Sequence, residues 1–285
     1  MPATHEPALV PLDRAELIEI SGDDAIAFAQ AQFASNVGSL AAGTWQWSAW
    51  LTAQGRTRSV FALLRIATDH LLIWLPLGGA AELREQLARF VLRAKVRLAV
   101  RENWSVCRVD GVSPRADEPQ RLTEWNGGYA FLQPGPEART AWLGPAPKAP
   151  PDPVALNAWR LLDIAAGLPW LAPATADEFV PQALGLERLG AVRFDKGCYP
   201  GQEIAARLHY RGGVKQRLRR IVLDGNGDVS PGSAIRNATG NTGTILYGVR
   251  ETSTQRAALA VLADVSPQTP LVSASGYRII VADDT

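Results

Sequence analysis

Lys196-Gly197-Cys198-Tyr199-Pro200-Gly201-Gln202-Glu203 is the stretch on which the reading of this chain turns. Two glycines and a proline surround one thiol, so the run reads as a sharply turned loop and not as the interior of a strand or helix. A short helix is expected just after it, from Gly201 to Tyr210. Lys196 stands two positions before the thiol. A nearby ammonium and a helix N-terminus both favour thiolate, and such settings lower a cysteine pKa from its reference of about 8.5. Gln202 and Glu203 add directional polar groups able to hold an amide-rich ring. The plain alternative makes Cys198 an inert small hydrophobe beside a surface lysine. Cys107, inside Trp104-Ser105-Val106-Cys107, is assigned that inert role.

Outward from the octad, the residues that follow are basic. Arg207, Arg211, Lys215, Arg217, Arg219 and Arg220 come with no acid between Arg207 and Arg220. From 216 to 285 short apolar runs (218–223, 243–249, 257–262, 277–281) alternate with Gly-rich turns, which predicts a small C-terminal β-barrel. Upstream, Asp152 is an expected N-cap and Gly167 an expected C′ residue of a helix carrying Leu156, Trp159, Leu162 and Ile164. The Pro/Gly-rich stretch 133–153 reads as a connector. Before it, strands are expected at 15–20, 45–51, 58–66, 71–75, 96–100 and 104–109. Helices are expected after Asp23 and over 80–93, the second with Leu83, Leu87, Phe90 and Val91 on one face. The fold class is therefore α+β: a larger region over 1–215, in two subdomains, with a barrel appended.

The chain's 285 residues, 47% of them hydrophobic, suffice for a large domain plus a small one and disfavour disorder. A formal charge of +1 argues against a protein dominated by phosphate contacts, so any nucleic-acid role must rest on a local patch. Two cysteines 91 positions apart exclude a disulfide framework, and with His5, His70 and His209 they make no metal cage; no metal site is expected. The first residues, MPATHEPALVPLDRAEL, lack the form of a secretory signal, and no run approaches a membrane span. The expectation is a cytoplasmic protein without membrane contact. Walker, G-x-G-x-x-G, G-x-S-x-G and H-E-x-x-H patterns are all absent.

The octad resembles the K-G-C-Y-x-G-Q-E signature of the YgfZ-type folate-binding proteins, relatives of the aminomethyltransferase (T protein) of the glycine cleavage system. Further pieces agree in order. The helix ending Arg160-Leu161-Leu162-Asp163-Ile164-Ala165-Ala166-Gly167-Leu168-Pro169 is similar to the family's "R-I-E-A-G-I-P" run. Phe179-Val180-Pro181-Gln182 is similar to "F-I-P-Q", and Ala205-Ala206-Arg207 with Arg211-Gly212 to "V-A-R…R-G". Near the start, Ile20-Ser21-Gly22-Asp23 and Phe28-Ala29-Gln30-Ala31-Gln32 resemble "I-x-G-x-D…F-x-Q-x-Q". The likeness spans about 15 to 250 and is strongest over 159–213.

The resemblance implies an aminomethyltransferase-like cloverleaf around a channel that binds tetrahydrofolate. Trp159 matches a folate-contacting tryptophan, and an indole can stack on a flat ring while its N–H donates; a core tryptophan is the alternative. Tyr199, Gly201, Gln202, Glu203 and Arg207 are the other expected folate-side residues, with Cys198 and Lys196 as the chemically active pair. The family's other folate-side tryptophan falls near Ala15, a departure from the pattern. Asp163 matches the family's glutamate and is read as structural. The basic stretch 207–220 has three open uses: the glutamate tail of a polyglutamylated folate, a tRNA or protein surface, or a solvated strand edge.

Glycine cleavage itself is disfavoured, because Leu71-Leu72-Ile73-Trp74-Leu75-Pro76 lacks the pocket carboxylate of the T protein. The implied function is a folate-binding accessory protein for assembly or repair of iron–sulfur clusters. Its partners would be cluster enzymes or assembly proteins, and through them tRNA modification. A one-carbon transferase acting on protein or tRNA, and a non-enzymatic scaffold, are the alternatives. One thiol at the motif cannot ligate a cluster alone.

Overall fold

A computed structural model describes residues 7–111, 120–264 and 269–282; His5 lies outside the described residues. In chain order the elements are β1 (Ala8–Arg14), β2 (Leu17–Ser21), α1 (Ala25–Gln32), β3 (Thr44–Leu51), β4 (Thr57–Ala67), β5 (His70–Trp74), α2 (Ala80–Ala88), β6 (Arg97–Val100), β7 (Trp104–Asp110), β8 (Thr123–Trp125), β9 (Gly128–Gln133), β10 (Arg139–Pro145) and α3 (Pro153–Ala165). After a 3₁₀ turn at Pro173–Thr175 come α4 (Gln202–Arg211), β11 (Gln216–Asp224), β12 (Ala234–Asn237), β13 (Gly240–Arg250), β14 (Gln255–Ala263), β15 (Leu271–Ser273) and β16 (Arg278–Val281). This is the expected α+β class. Of the described residues, those within Met1–Ala31, Asn36–Trp47 and Phe61–Trp159 form one compact unit. Those within Gln32–Ser35, Ser48–Val60 and Arg160–Thr285 form a second.

The first unit contains a sheet of order β1-β7-β10-β9-β8. Side chains alternate across it. On one face Cys107, Ala130 and Trp142 meet in register and pack with Val109. Trp142 donates its indole N–H to the carbonyl of Trp125 at 2.9 Å. The other face carries Phe131, Gln133 and Arg139. A second sheet has the order β3-β4-β5-β2-β6, and its β2 and β5 are apolar enough to be buried along most of their length.

The second unit contains the barrel, closed in the order β11-β14-β13-β12-β15-β16. Ile221, Leu223, Ile235, Ile245, Leu262 and Ile279 fill its interior. Its first strand, β11, begins at Gln216.

The N-cap expected at Asp152 forms, with Oδ1 accepting from the backbone N–H groups of Val154 (2.9 Å) and Ala155 (3.2 Å). At the other end Gly167 takes φ 63°, and the Leu168 N–H closes back on the Asp163 carbonyl at 3.0 Å.

Two expectations need correcting. The stretch 133–153 is not all connector, since β10 lies inside it and is buried from Arg139 to Gly144. Its prolines mislead because they mark the ends. Pro134 and Pro136 sit in the β9–β10 turn and Pro145 ends the strand, where a missing N–H is tolerated. The helix expected over 80–93 stops at Ala88, which leaves Phe90 and Leu92 exposed.

Candidate functional site

The octad sits in the second unit, and most of its side chains are spent on holding the loop. Lys196 is half-buried and donates from Nζ to the carbonyls of Phe33 (2.6 Å) and Ser35 (2.9 Å). The same ammonium lies 5.0 Å from the Tyr199 ring centroid. Burial pushes its pKa down from 10.5 to about 8. A neutral amine keeps two N–H donors, enough for both carbonyls.

The segment that Lys196 grips is itself pinned. Ala34 donates to the Ala49 carbonyl (2.8 Å) and accepts from the Arg193 N–H (2.9 Å), and the Ser35 hydroxyl meets that of Ser48 at 2.7 Å. Tyr199 is buried and donates its hydroxyl to the Arg193 carbonyl at 3.0 Å; burial raises its phenol pKa. Gln202 closes the loop by donating Nε2 to the Lys196 carbonyl at 3.3 Å.

Gly201 caps α4 at φ 75°, a left-handed conformation that costs a residue with a Cβ about 1–2 kcal/mol. A Cβ there would strike the carbonyl of Thr52 and stand 2.8 Å from the Gly55 Cα. Gly55, at φ 72°, leads out of the β3–β4 turn and abuts Ile204 of α4. Two glycines thus let a turn and a helix start touch backbone to backbone.

Cys198 remains exposed at the top of this frame. Glu203 is exposed in the first turn of α4, where the helix dipole favours a carboxylate, and Arg207 is exposed one turn on. The structure therefore brings Lys196, Tyr199, Gly201 and Gln202 together as a pedestal and leaves Cys198, Glu203 and Arg207 free to meet a ligand. The other thiol has the opposite environment. Cys107 is fully buried, and desolvation raises its pKa to about 12.

Trp159 belongs to the first unit. It is 2% exposed, and the Arg139 guanidinium lies 4.3 Å from the centroid of its ring. Arg139 also donates to the Trp159 carbonyl (3.0 Å) and the Pro134 carbonyl (3.1 Å). A ring arriving to stack on this indole displaces Arg139 or uses another edge.

Beside this pair the sheet face shows a feature that sequence reasoning missed. Gln133 stands directly across the β9–β10 ladder from Arg139 and is 3% exposed, yet among the described residues neither its Oε1 nor its Nε2 has a hydrogen-bond partner. Two positions back Phe131 packs on Trp45, centroids 5.1 Å apart, and the buried Trp45 indole N–H also lacks a partner. Unpaired buried amide groups cost about 1–3 kcal/mol each, so a native protein that keeps them is asking for a ligand or water to complete them. One acceptor and two donors among aromatic rings match a flat heterocycle with a lactam edge, such as a pterin. The only trace in the sequence is a glutamine on the inward side of the alternating run Gly128–Gln133.

Asp163 is buried, and its Oδ2 takes bonds from Arg160 (3.2 Å) and the Trp170 indole (3.2 Å), a structural place as expected. Among the described residues no group of three or more His, Cys, Asp or Glu side chains is arranged to hold a metal ion. No helix of the described residues is long and apolar enough to cross a membrane.

Comparison with known proteins bears on this geometry. The crystal structure of the glycine cleavage system aminomethyltransferase T from Bartonella henselae superimposes with a TM-score of 0.68 at 12% identity, covering 97% of this chain and 85% of that one. The fold is accordingly aminomethyltransferase-like. No family model matches the chain. The tRNA-modifying protein YgfZ of Edwardsiella ictaluri is 30% identical over 239 residues, 76% of this chain and 71% of that protein. The protein of the same name in Vibrio vulnificus is 30% identical over 243 residues, 80% and 73% of the two chains. The chain belongs to the YgfZ family.

Proposed function

We propose that this protein is a tetrahydrofolate-binding accessory factor. It supports assembly or repair of iron–sulfur clusters in the cytoplasm and, through the enzymes that carry them, tRNA modification. The observation that carries the folate part is the Gln133 amide, unpartnered among the described residues, set across from Arg139, which lies over the Trp159 ring, and two positions from Phe131. In this reading the Gln133 amide would hold the lactam edge of the ring, Phe131, Trp45 and Trp159 would offer it aromatic faces, and Arg139 would supply a cation for the ligand's carboxylate. Bound tetrahydrofolate supplies a nitrogen-borne one-carbon unit and reducing equivalents. In the second unit Cys198 is the working group, carried on the Lys196–Tyr199–Gln202 frame, with Glu203 and Arg207 as its polar surroundings.

The relatives' shared name supports the link to tRNA. Because β5, His70–Trp74, carries no acid, nothing at that strand favours glycine cleavage.

The test is a titration of wild-type protein and Gln133→Leu with tetrahydrofolate, followed by calorimetry and tryptophan fluorescence. Heat and quenching in the wild type, weakened at least tenfold in Gln133→Leu, are expected. Absence of both signals in the wild type sinks the folate reading. The accessory role is read separately, by deleting the gene and assaying cluster enzymes and methylthiolated tRNA bases. Normal levels of both would remove it.

A further inference from the structure

The second unit holds a cleft of about 920 Å³ that the octad's chemistry does not use. Among the described residues, Arg188, Arg217, Arg219 and Arg220 line it against one lining carboxylate, Glu187. That carboxylate is already engaged, with Oε1 accepting from Gln182 (2.9 Å) and Oε2 facing His209 Nδ1 (2.7 Å). Two acids outside the lining offset part of the charge, Asp264 at 3.5 Å from Arg217 and Glu251 at 3.0 Å from Arg220. Among the described residues the cleft is net positive, in a chain whose overall charge is only +1.

Against one wall of the cleft stands a stack of rings. His209, itself a lining residue, lies on Phe194 with centroids 4.6 Å apart and planes at 33°. Tyr210 meets the His209 ring edge-on at 4.8 Å and is 77% exposed. Arg207 and Arg211 flank these rings on α4, both exposed. The edge contact with His209 leaves most of the Tyr210 ring, with cations on both sides, open to a ligand.

We infer that this surface binds single-stranded RNA directly. An unpaired base stacks on Tyr210 and His209 while the adjoining phosphates enter the arginine cleft. Open rings next to a basic groove are the way proteins hold single strands, because every base offers a flat face and every linkage a charge. A glutamate chain would satisfy the arginines but has no use for the rings. A duplex would meet the charges with its bases already stacked on one another. The inference rests on the RNA link in the function proposed above and deepens it, since it places RNA on this chain and not only on its client enzymes.

The experiment measures fluorescence anisotropy of a labelled, mixed-sequence single-stranded RNA of about 10 nucleotides on purified wild-type protein, in a salt series, with no folate present. An equal-length duplex and oligo-γ-glutamate serve as competitors. Expected is binding that the duplex and oligo-γ-glutamate displace poorly. Tyr210→Ala should weaken it about tenfold, as loss of one base–aromatic stack does. Arg217→Ala should reduce the salt slope by about 0.7, one phosphate contact on a single strand. Thermal melting of both variants, each changed at an exposed position, confirms folding.

Wild-type affinity in Tyr210→Ala, or preferential displacement by oligo-γ-glutamate, would overturn the proposal, the second in favour of a folate tail. If RNA does not bind while gene deletion still lowers tRNA modification, this inference fails and the accessory function stands.

Discussion

Gly201→Ala should uncouple α4 from the turn it rests on. Two costs can be worked from the structure. Holding a residue with a Cβ at φ 75° costs about 1–2 kcal/mol. The new methyl would overlap the Thr52 carbonyl and stand 2.8 and 2.9 Å from the Cα and N of Gly55, all backbone atoms that no side-chain rotation can move aside. Overpacking of that kind costs about 1–3 kcal/mol. The sum is about 2–5 kcal/mol. Gly55→Ala supplies an internal comparison. Its φ of 72° carries the same conformational cost, but its Cβ would stand 2.9 Å from Ile204 Cβ and 3.0 Å from Cγ2, a shallower overlap than the one with the Thr52 carbonyl. Urea unfolding followed by far-UV circular dichroism should show a midpoint lowered by about 1–2.5 M for Gly201→Ala, at a slope of about 2 kcal/mol per molar. Gly55→Ala should lower it by less. If Gly201→Ala keeps the wild-type midpoint, or if Gly55→Ala is the more damaging, the backbone-to-backbone contact is not what the glycines are for.

Other expectations follow from the same contacts. Lys196 has a folded-state pKa of about 8 against 10.5 for the ordinary ammonium, so between those values the unfolded chain holds the proton more tightly and stability rises with pH. After discounting for solvent screening of this partly exposed group, wild type should gain about 1–2 kcal/mol from pH 8 to 10 relative to Lys196→Met; parallel pH profiles in chemical denaturation would contradict it. Gln133→Leu removes a buried amide that has no partner, so the ligand-free protein should become more stable by about 1–3 kcal/mol while losing tetrahydrofolate. A melting temperature that falls in that variant would show the amide to be structural.

How much of this was legible in the sequence varied with the physics of each part. The caps of α3 could be read because Asp152 and Gly167 act locally, through their own side chain and their own φ. The barrel was visible because Ile221 and Leu223, or Ala258, Ala260 and Leu262, repeat with the period of a strand. β10 was hidden by prolines that turned out to be punctuation, and β1 by a short polar-ended run with Pro11 inside it. In the octad the sequence marked a turned loop around one thiol but could not divide its labour. Lys196 looks like a partner for the thiol, whereas its Nζ donates to the carbonyls of Phe33 and Ser35, about 160 positions earlier in the chain. Gln133 offered almost nothing to find, since an amide is informative only once the absence of its partners can be seen in three dimensions.

The central claim is that the octad is a frame built to keep one sulfur within reach, and alkylation of the native protein tests it most directly. With iodoacetamide at neutral pH and mass spectrometry of the two cysteine peptides, Cys198 should react at the rate of an accessible thiol, Cys107 only after unfolding, and Gly201→Ala should change the Cys198 rate alone. Equal and slow modification of both sulfurs in the folded chain would contradict the account.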